Sequence, residues 1–324
     1  VTIGEKYNFI NIYPIYSTKR NYKSKIINLF KSLLSLYNYR EVLIRSDIFK
    51  SNQTNGIWLP LIASILFKKK LLFRCGYIWL NFLNLRKSKY IKKVFVKILT
   101  VISAKKANKI IVTNLKDKIY LSDLLKIDNN KINVVPNYVN TNIFKSNGKY
   151  KKKDLLFIGR PTKQKNLFLL LKSLINLRYN LTVVGENNYN KKVYEFIKLN
   201  NLNVNFIGII KNSELADLYR SHKLYIICSS FEGSPKTLLE AMSCGTVVIG
   251  TNVEGINNII NDRVNGFLIN QNSHELHEKI KELMSNNEIR SKISINAEDM
   301  IMKNYSLNVA STKEFNVYKK ILDS

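Results

Sequence analysis

The chain holds 324 residues, with 52 Lys+Arg against 23 Asp+Glu and a formal charge of +29. That length suits two domains of ordinary size, each able to bury its own core, and argues against a single small module. Cys75, Cys228 and Cys244 share no metal-ligand spacing, and His222, His274 and His277 lie in polar surroundings without a Cys partner, which argues against a structural zinc site or a catalytic cysteine.

The cysteines read as buried thiols in a reducing cytoplasm, and the three histidines as solvated. Residues 1 to 150 hold 28 Lys+Arg against 6 Asp+Glu, whereas residues 151 to 324 hold 24 against 17. Drift in an AT-rich genome accounts for part of such an excess, but the first half still carries a field that favours anionic phospholipid or a polyanionic acceptor. Nucleic acid is the competing polyanion, but the lack of zinc-finger spacing, an RNP-like aromatic motif or a leucine heptad argues against it as a partner.

Val1 to Phe9 is polar and reads as no secretory signal, and the chain starts without methionine. A first strand is expected near Phe9 to Ile12, then a helix over Lys25 to Tyr37 and a strand over Glu41 to Ile44. Gly56 to Phe67 is apolar but too short to span a bilayer, and reads as a buried helix. Strands at Lys70 to Arg74, Lys109 to Thr113 and Ile132 to Val135 alternate with helices at Tyr90 to Lys105 and Lys116 to Leu125. The lysine-studded segment Tyr90 to Ala104 fits either a membrane interface or a core-packed amphipathic helix.

Asn147-Gly148 and the run Lys149 to Lys153 form a polar break, so the domains are expected to span residues 1–148 and 149–308. The second half reads as strands at Leu155 to Ile158, Leu181 to Val184, Val204 to Ile207, Leu224 to Cys228 and Thr246 to Gly250. Helices are expected between them at Asn166 to Leu177, Lys191 to Leu199, Asn212 to Arg220 and Thr237 to Met242. Residues 309–324 form a helical tail with Phe315, Tyr318 and Ile321 or Leu322 on one stripe. The alternation predicts an α/β protein of two Rossmann-like domains with parallel sheets.

Two segments carry chemistry. In Ser229-Ser230-Phe231-Glu232-Gly233-Ser234-Pro235-Lys236-Thr237-Leu238-Leu239-Glu240, a strand end passes through a short loop into a helix opened by Pro235. The helix N-terminus attracts an anion through its unpaired backbone N–H groups, and Glu240 inside the helix can accept hydrogen bonds from neighbouring hydroxyls. Taken alone, the glutamate pair reads more readily as a solvated crossover, and its context reverses that reading. In Phe157-Ile158-Gly159-Arg160-Pro161-Thr162-Lys163-Gln164-Lys165-Asn166, a second strand end delivers Arg160 and Lys165 to the carboxyl edge of the sheet, where open α/β sheets bind ligands. A guanidinium and an ammonium there suit a diphosphate leaving group, although a basic loop pair is more often solvated surface.

The stretch from Ile132 to about Asn270, with Glu232 and Glu240 separated by seven residues, then Gly245, an apolar strand, Val253-Glu254-Gly255 and Asn265-Gly266-Phe267-Leu268, resembles the retaining glycosyltransferases of family 4. The resemblance implies a GT-B fold, two Rossmann-like domains facing each other across a cleft, with the terminal helix returning to the first domain. It implies that Arg160 and Lys165 clasp a nucleotide diphosphate, that Glu240 holds the ribose hydroxyls, and that Glu232 lies by the donor sugar. Gly159 and the backbone of Gly233, Ser234, Pro235, Lys236, Thr237 and Leu238 would meet phosphate and sugar oxygens. Gly185 and Gly208, ending two strands, either let the base approach backbone or are turn glycines.

Departures from the family pattern fall early. The segment Val135-Pro136-Asn137-Tyr138-Val139-Asn140 has Tyr138 and Asn140 where the family has Gly and Asp, and is read as structural. The family's opening strand and glycine-rich loop are not recognised, so the first domain is expected to lack its first strand unit, by truncation or loss. Arg74-Cys75-Gly76-Tyr77 stands where relatives often carry a histidine; Arg74 and Asn55 are the candidate acceptor-side residues.

The resulting expectation is a hexosyltransferase-type enzyme that needs no cofactor and no metal. It would move a sugar, with retention, from a nucleotide diphosphate sugar to a glycan or lipid-linked glycan in cell-surface polysaccharide synthesis. Its place would be cytoplasmic, peripheral on the inner face of the membrane. The rival readings are a catalytically silent nucleotide-sugar or glycan-binding protein, a nucleic-acid-binding protein using the basic half, and a sugar epimerase sharing the fold.

Overall fold

The computed structural model describes residues 25–76, 78, 83, 90–148 and 153–323. The strand expected at Phe9 to Ile12, most of the lysine run after Gly148, and Tyr77 lie outside the described residues. The chain divides into two compact units, one of Val1–Val134 with Val317–Ser324 and one of Val135–Asn316, a division earlier than Asn147-Gly148.

The first unit runs α1 (Lys25–Asn38), α2 (Arg40–Arg45), β1 (Ile48–Ser51), a 3-10 turn (Thr54–Gly56), α3 (Trp58–Leu66), β2 (Lys70–Cys75), α4 (Tyr90–Lys106), β3 (Lys109–Val112), α5 (Leu115–Ile119) with a π turn after it (Tyr120–Leu124), and β4 (Ile132–Val134). The four strands form a parallel sheet in the order β1-β2-β3-β4. Leu71, Phe73 and Cys75 of β2 and Ile110 and Val112 of β3 pack with Leu61, Val96, Ala104 and Leu121 into one core.

One expected element is corrected. Glu41 to Ile44 belongs to the helix α2, and the strand follows it at β1. The run Val42-Leu43-Ile44 is short enough to suit either state. Glu41 in the first turn and Arg45 in the last complement the helix dipole, and α2 buries no residue, so no sheet claims it.

The second unit runs β5 (Lys153–Ile158), α6 (Leu167–Ser173), β6 (Leu181–Val184), α7 (Lys191–Leu199), β7 (Val204–Phe206), α8 (Asn212–Ser221), β8 (His222–Ile227), α9 (Lys236–Ser243), β9 (Val247–Thr251), β10 (Phe267–Ile269), α10 (Ser273–Ser285), α11 (Asn287–Asn304) and α12 (Leu307–Leu322). Its six strands are parallel in the order β10-β9-β8-β5-β6-β7. The uninterrupted apolar runs are explained by burial on both faces. Leu155, Phe157, Leu224, Ile226, Val247 and Ile249 face one cluster with α6 and α10, while Leu156, Tyr225, Ile227 and Val248 face another with α9 and α11.

Strand order fixes where a ligand belongs. From β5 the chain winds outward to β6 and β7, then returns to place β8 on the other side of β5, with Leu155 paired to Leu224. That reversal makes the carboxyl ends of β5 and β8 the topological switch point, the crevice that doubly wound sheets use for ligands. The tail α12 ends in residues that group with the first unit, where Lys70 Nζ donates to the Ile321 carbonyl at 2.7 Å.

All three cysteines are buried, and none forms a disulfide. The histidines differ from the solvated reading. His222 is fully buried, with Nδ1 donating to the Leu218 carbonyl at 2.7 Å and Nε2 2.9 Å from Thr182 Oγ1. His277 is half-buried against the Ser173 carbonyl at 3.0 Å, and His274 alone is exposed. The cause is tertiary: His222 opens β8 beneath a strand two places away in the sheet, a proximity that local polarity does not reveal.

Candidate functional site

At the switch point the loops after β5 and β8 are tied together. Gln164 Nε2 donates to the Phe231 carbonyl at 2.9 Å, and the Ser230 amide donates to the Gln164 carbonyl at 2.8 Å. These bonds bring Lys165 and Glu232 into register. Lys165 Nζ lies 2.7 Å from Glu232 Oε1, with side chains only 17% and 11% exposed. The same oxygen accepts from Ser229 Oγ at 2.6 Å. A carboxylate gripped by a cation and a hydroxyl holds one orientation, so Glu232 is part of a built cluster and not a solvated acid.

Backbone contacts support the turn from behind. The Glu232 amide donates to the Glu254 carbonyl at 3.1 Å. Gly255 has φ of +86°, and a Cβ there would fall 2.4 Å from the Glu232 carbonyl oxygen. Only glycine permits that approach. From the other side Asn137 Nδ2 donates to the Ser234 carbonyl at 2.9 Å, and Lys236 Nζ stands 5.2 Å from the centre of the Tyr138 ring.

Past Pro235 the helix α9 begins with no side-chain cap. The Leu238 amide turns back to the Pro235 carbonyl at 3.2 Å, and the Leu238 side chain is buried. The amides of Lys236 and Thr237 carry no backbone hydrogen bond among the described residues. These two N–H groups, with the positive end of the helix dipole, constitute the anion-attracting feature of the loop. One turn on, Glu240 Oε2 accepts from the Tyr219 hydroxyl at 3.2 Å. Burial raises the Glu240 pKa, and the Tyr219 bond and the Lys236 charge draw it part of the way back.

The glycines at the other strand ends have backbone reasons. A Cβ on Gly185, at φ +142°, would meet the Gly159 carbonyl oxygen at 2.2 Å. The Gly185 amide donates to the Gly208 carbonyl at 2.9 Å, and Gly208 itself has φ of +73°. Arg160, next to Gly159, is exposed at this edge.

The structure therefore brings together Lys165, Glu232, Gly233, Ser234, Pro235, Lys236 and Thr237. Glu240 follows one helical turn on, and Gly159, Gly185 and Gly208 line successive strand ends. In the first unit, Asn55 is exposed in the turn after β1 and Arg74 is part-buried near the end of β2, the two ends being joined by Thr54 Oγ1 and Cys75 Sγ at 3.1 Å. Sequence reasoning did not single out Gln164, Tyr219, Tyr225 or Ser229 for the site. Of these, only Gln164 and Ser229 stand inside the two informative segments; the Tyr225 hydroxyl, 2.9 Å from Thr237 Oγ1, comes from within an apolar strand run. Among the described residues no group of three His, Cys, Asp or Glu side chains is placed to hold a metal ion.

The chain is similar to known glycosyltransferases. The model of the family "Glycosyl transferases group 1" matches residues 139–300. An uncharacterized glycosyltransferase of Methanocaldococcus jannaschii is 31% identical over 199 residues, covering 61% of this chain and 55% of its own. The N,N'-diacetylbacillosaminyl-diphospho-undecaprenol alpha-1,3-N-acetylgalactosaminyltransferase of Campylobacter jejuni is 25% identical over 175 residues, 53% of this chain and 46% of its own. The chain thus spans about half the length of these relatives. The solved structure of Anabaena HepE in complex with UDP and glucose superposes with a TM-score of 0.77 at 17% identity, covering 93% of this chain and 84% of that one. That likeness identifies the fold as GT-B.

Proposed function

Because the chain belongs to the group 1 glycosyl transferases, we propose that it transfers a sugar, with retention, from a nucleotide diphosphate sugar to a hydroxyl of a glycan or lipid-linked glycan. The observation that supports this best is the Lys165, Glu232 and Ser229 cluster at the switch point, directly before the uncapped start of α9. The named substrates of the Campylobacter relative, a diphospho-undecaprenol-linked acceptor among them, and the UDP and glucose of the Anabaena protein guide the choice of substrate class.

In this reading the diphosphate lies against Arg160, Lys165 and the amides of Lys236 and Thr237. As the bond from sugar to phosphate loosens, negative charge grows on the leaving diphosphate, and each of these groups strengthens its hold. Contacts that strengthen with the developing charge lower the barrier instead of merely tightening binding. Glu232, fixed by Ser229, positions Lys165 and lies by the donor sugar. Glu240 accepts from the ribose hydroxyls, its second oxygen kept in place by Tyr219. Acceptor attack follows on the face that the leaving group vacates, which retains configuration. Arg74 and Asn55 are proposed to meet the acceptor.

Turnover assays decide the matter. Arg160→Ala is expected to cut turnover about two to three orders of magnitude, the usual loss of one such group, and full activity in that variant would overturn the diphosphate assignment. Tight nucleotide binding without turnover on any acceptor would favour a silent nucleotide-sugar-binding protein.

A further inference from the structure

Helix α1 is built inside out for a helix in water. It buries Asn28, Ser32 and Ser35 beside Leu36 on one stripe, while Phe30, Leu34 and Tyr37, at i, i+4 and i+7, point outward. Phe30 is 71% exposed. Helix α4 repeats the pattern. Val96, Thr100, Ser103 and Ala104 form its buried stripe, and Ile91, Phe95, Ile98 and Ile102 form a second apolar stripe on the opposite side. At 3.6 residues per turn the two stripes of α4 lie about half a turn apart, so packing on the sheet cannot cover both. Ile91 is 81% and Phe95 65% exposed.

These helices belong to one layer. The sequential order β1-β2-β3 with parallel pairing, joined by right-handed crossovers, places α3 and α4 on the same side of the sheet. Helix α3 packs against both α1 and α4, and adds exposed Ile65 and Leu66. Lysines border the apolar residues: Lys31 on α1, Lys68 after α3, Lys97, Lys105 and Lys106 on α4, all exposed. No helix among the described residues is long and apolar enough to cross a membrane. An apolar layer of this kind, ringed by lysines in the half of the chain with 28 Lys+Arg against 6 Asp+Glu, matches a surface that is apolar at depth and anionic at its edge.

We propose that the outer stripes of α1 and α4 dock on an anionic lipid bilayer, with Phe30, Phe95 and Ile98 entering the headgroup boundary and the bordering lysines pairing with lipid phosphate. The inference needs no catalytic step and stands whether or not the transferase reading does.

The test is sedimentation of the full chain with vesicles of phosphatidylglycerol mixed into phosphatidylcholine, beside vesicles of phosphatidylcholine alone. Binding is expected to the anionic vesicles only and to fall with added salt. Phe30→Ser with Phe95→Ser should weaken it by about tenfold per side chain, and Lys97→Glu by at least about fivefold. Unchanged circular dichroism and an unchanged thermal unfolding midpoint would show that the variants fold. Equal binding to neutral vesicles, or binding indifferent to the phenylalanine substitutions, would overturn the proposal. So would lipid-free self-association that the same substitutions abolish without any vesicle binding, which would make a second copy of the chain the occupant.

Discussion

Lys165 Nζ and Glu232 Oε1, 2.7 Å apart, close a bond between the loops after β5 and β8. Neither side chain is more than a fifth exposed, so solvent screens the pair only in part. Lys165→Ala and Glu232→Gln are therefore expected to be non-additive. A double-mutant cycle on urea-unfolding free energies should return a coupling of about 1 to 3 kcal/mol, and strict additivity would show the bond to be energetically idle. Under the proposed function, Lys165→Ala also loses about two to three orders of magnitude in kcat.

Glu240 gives a pH dependence whose sign follows from burial. Its folded pKa is raised, so its contribution to folding is greatest below its unfolded pKa and is lost as pH rises through the folded value. Under the proposed function ligand binding runs the other way, since Glu240 would accept from the ribose hydroxyls as a carboxylate. UDP affinity is expected to weaken as pH falls through the Glu240 titration. Tyr219→Phe removes a hydrogen bond that holds this pKa down, so the acid limb should move to higher pH. Calorimetric UDP titrations from mildly acid to neutral pH check this, and superposable profiles for the two proteins would refute it.

Gly185→Ala adds a Cβ at φ +142° within 2.2 Å of the Gly159 carbonyl oxygen. Relief requires moving the strand end that carries Arg160. A loss of about 2 to 4 kcal/mol in unfolding free energy is expected, together with, under the proposed function, weaker UDP binding. Wild-type stability in this variant would mean that the two strand ends are not held so closely.

Asn137→Ala removes the donor to the Ser234 carbonyl. Such a bond contributes about 1 kcal/mol of stability, but its position predicts more for function than for folding. Under the proposed function the donor KM should rise while the melting temperature changes little, and an unchanged KM would reduce Asn137 to a structural brace.

Much of the site was legible because its chemistry is concentrated in two short runs. Glu232 through Glu240 carry their own strand, loop and helix signals, and Gly159 through Asn166 end a strand in the same manner. What joins them is not local. The Lys165 to Glu232 bond depends on β8 returning to the flank of β5, and strand order is a property of the whole unit. Tyr219 and Tyr225 were missed for a related reason, because an aromatic inside an apolar run reads as core, and both are core except for one hydroxyl each. The strand expected at Glu41 to Ile44 failed where pattern is weakest, in a run of three apolar residues that no neighbouring strand claimed.

Under the proposed function, the close approach of Gly255 to the Glu232 carbonyl has a consequence for substrate choice. The turn that carries Glu232 is braced by backbone on one side and by Asn137 on the other, leaving it no slack to follow a larger or smaller sugar. Adaptation to a new donor would have to come from exchanging side chains on a fixed frame. Engineering of donor preference is then a question of which residues decorate the turn, while any lengthening of the turn itself should be poorly tolerated.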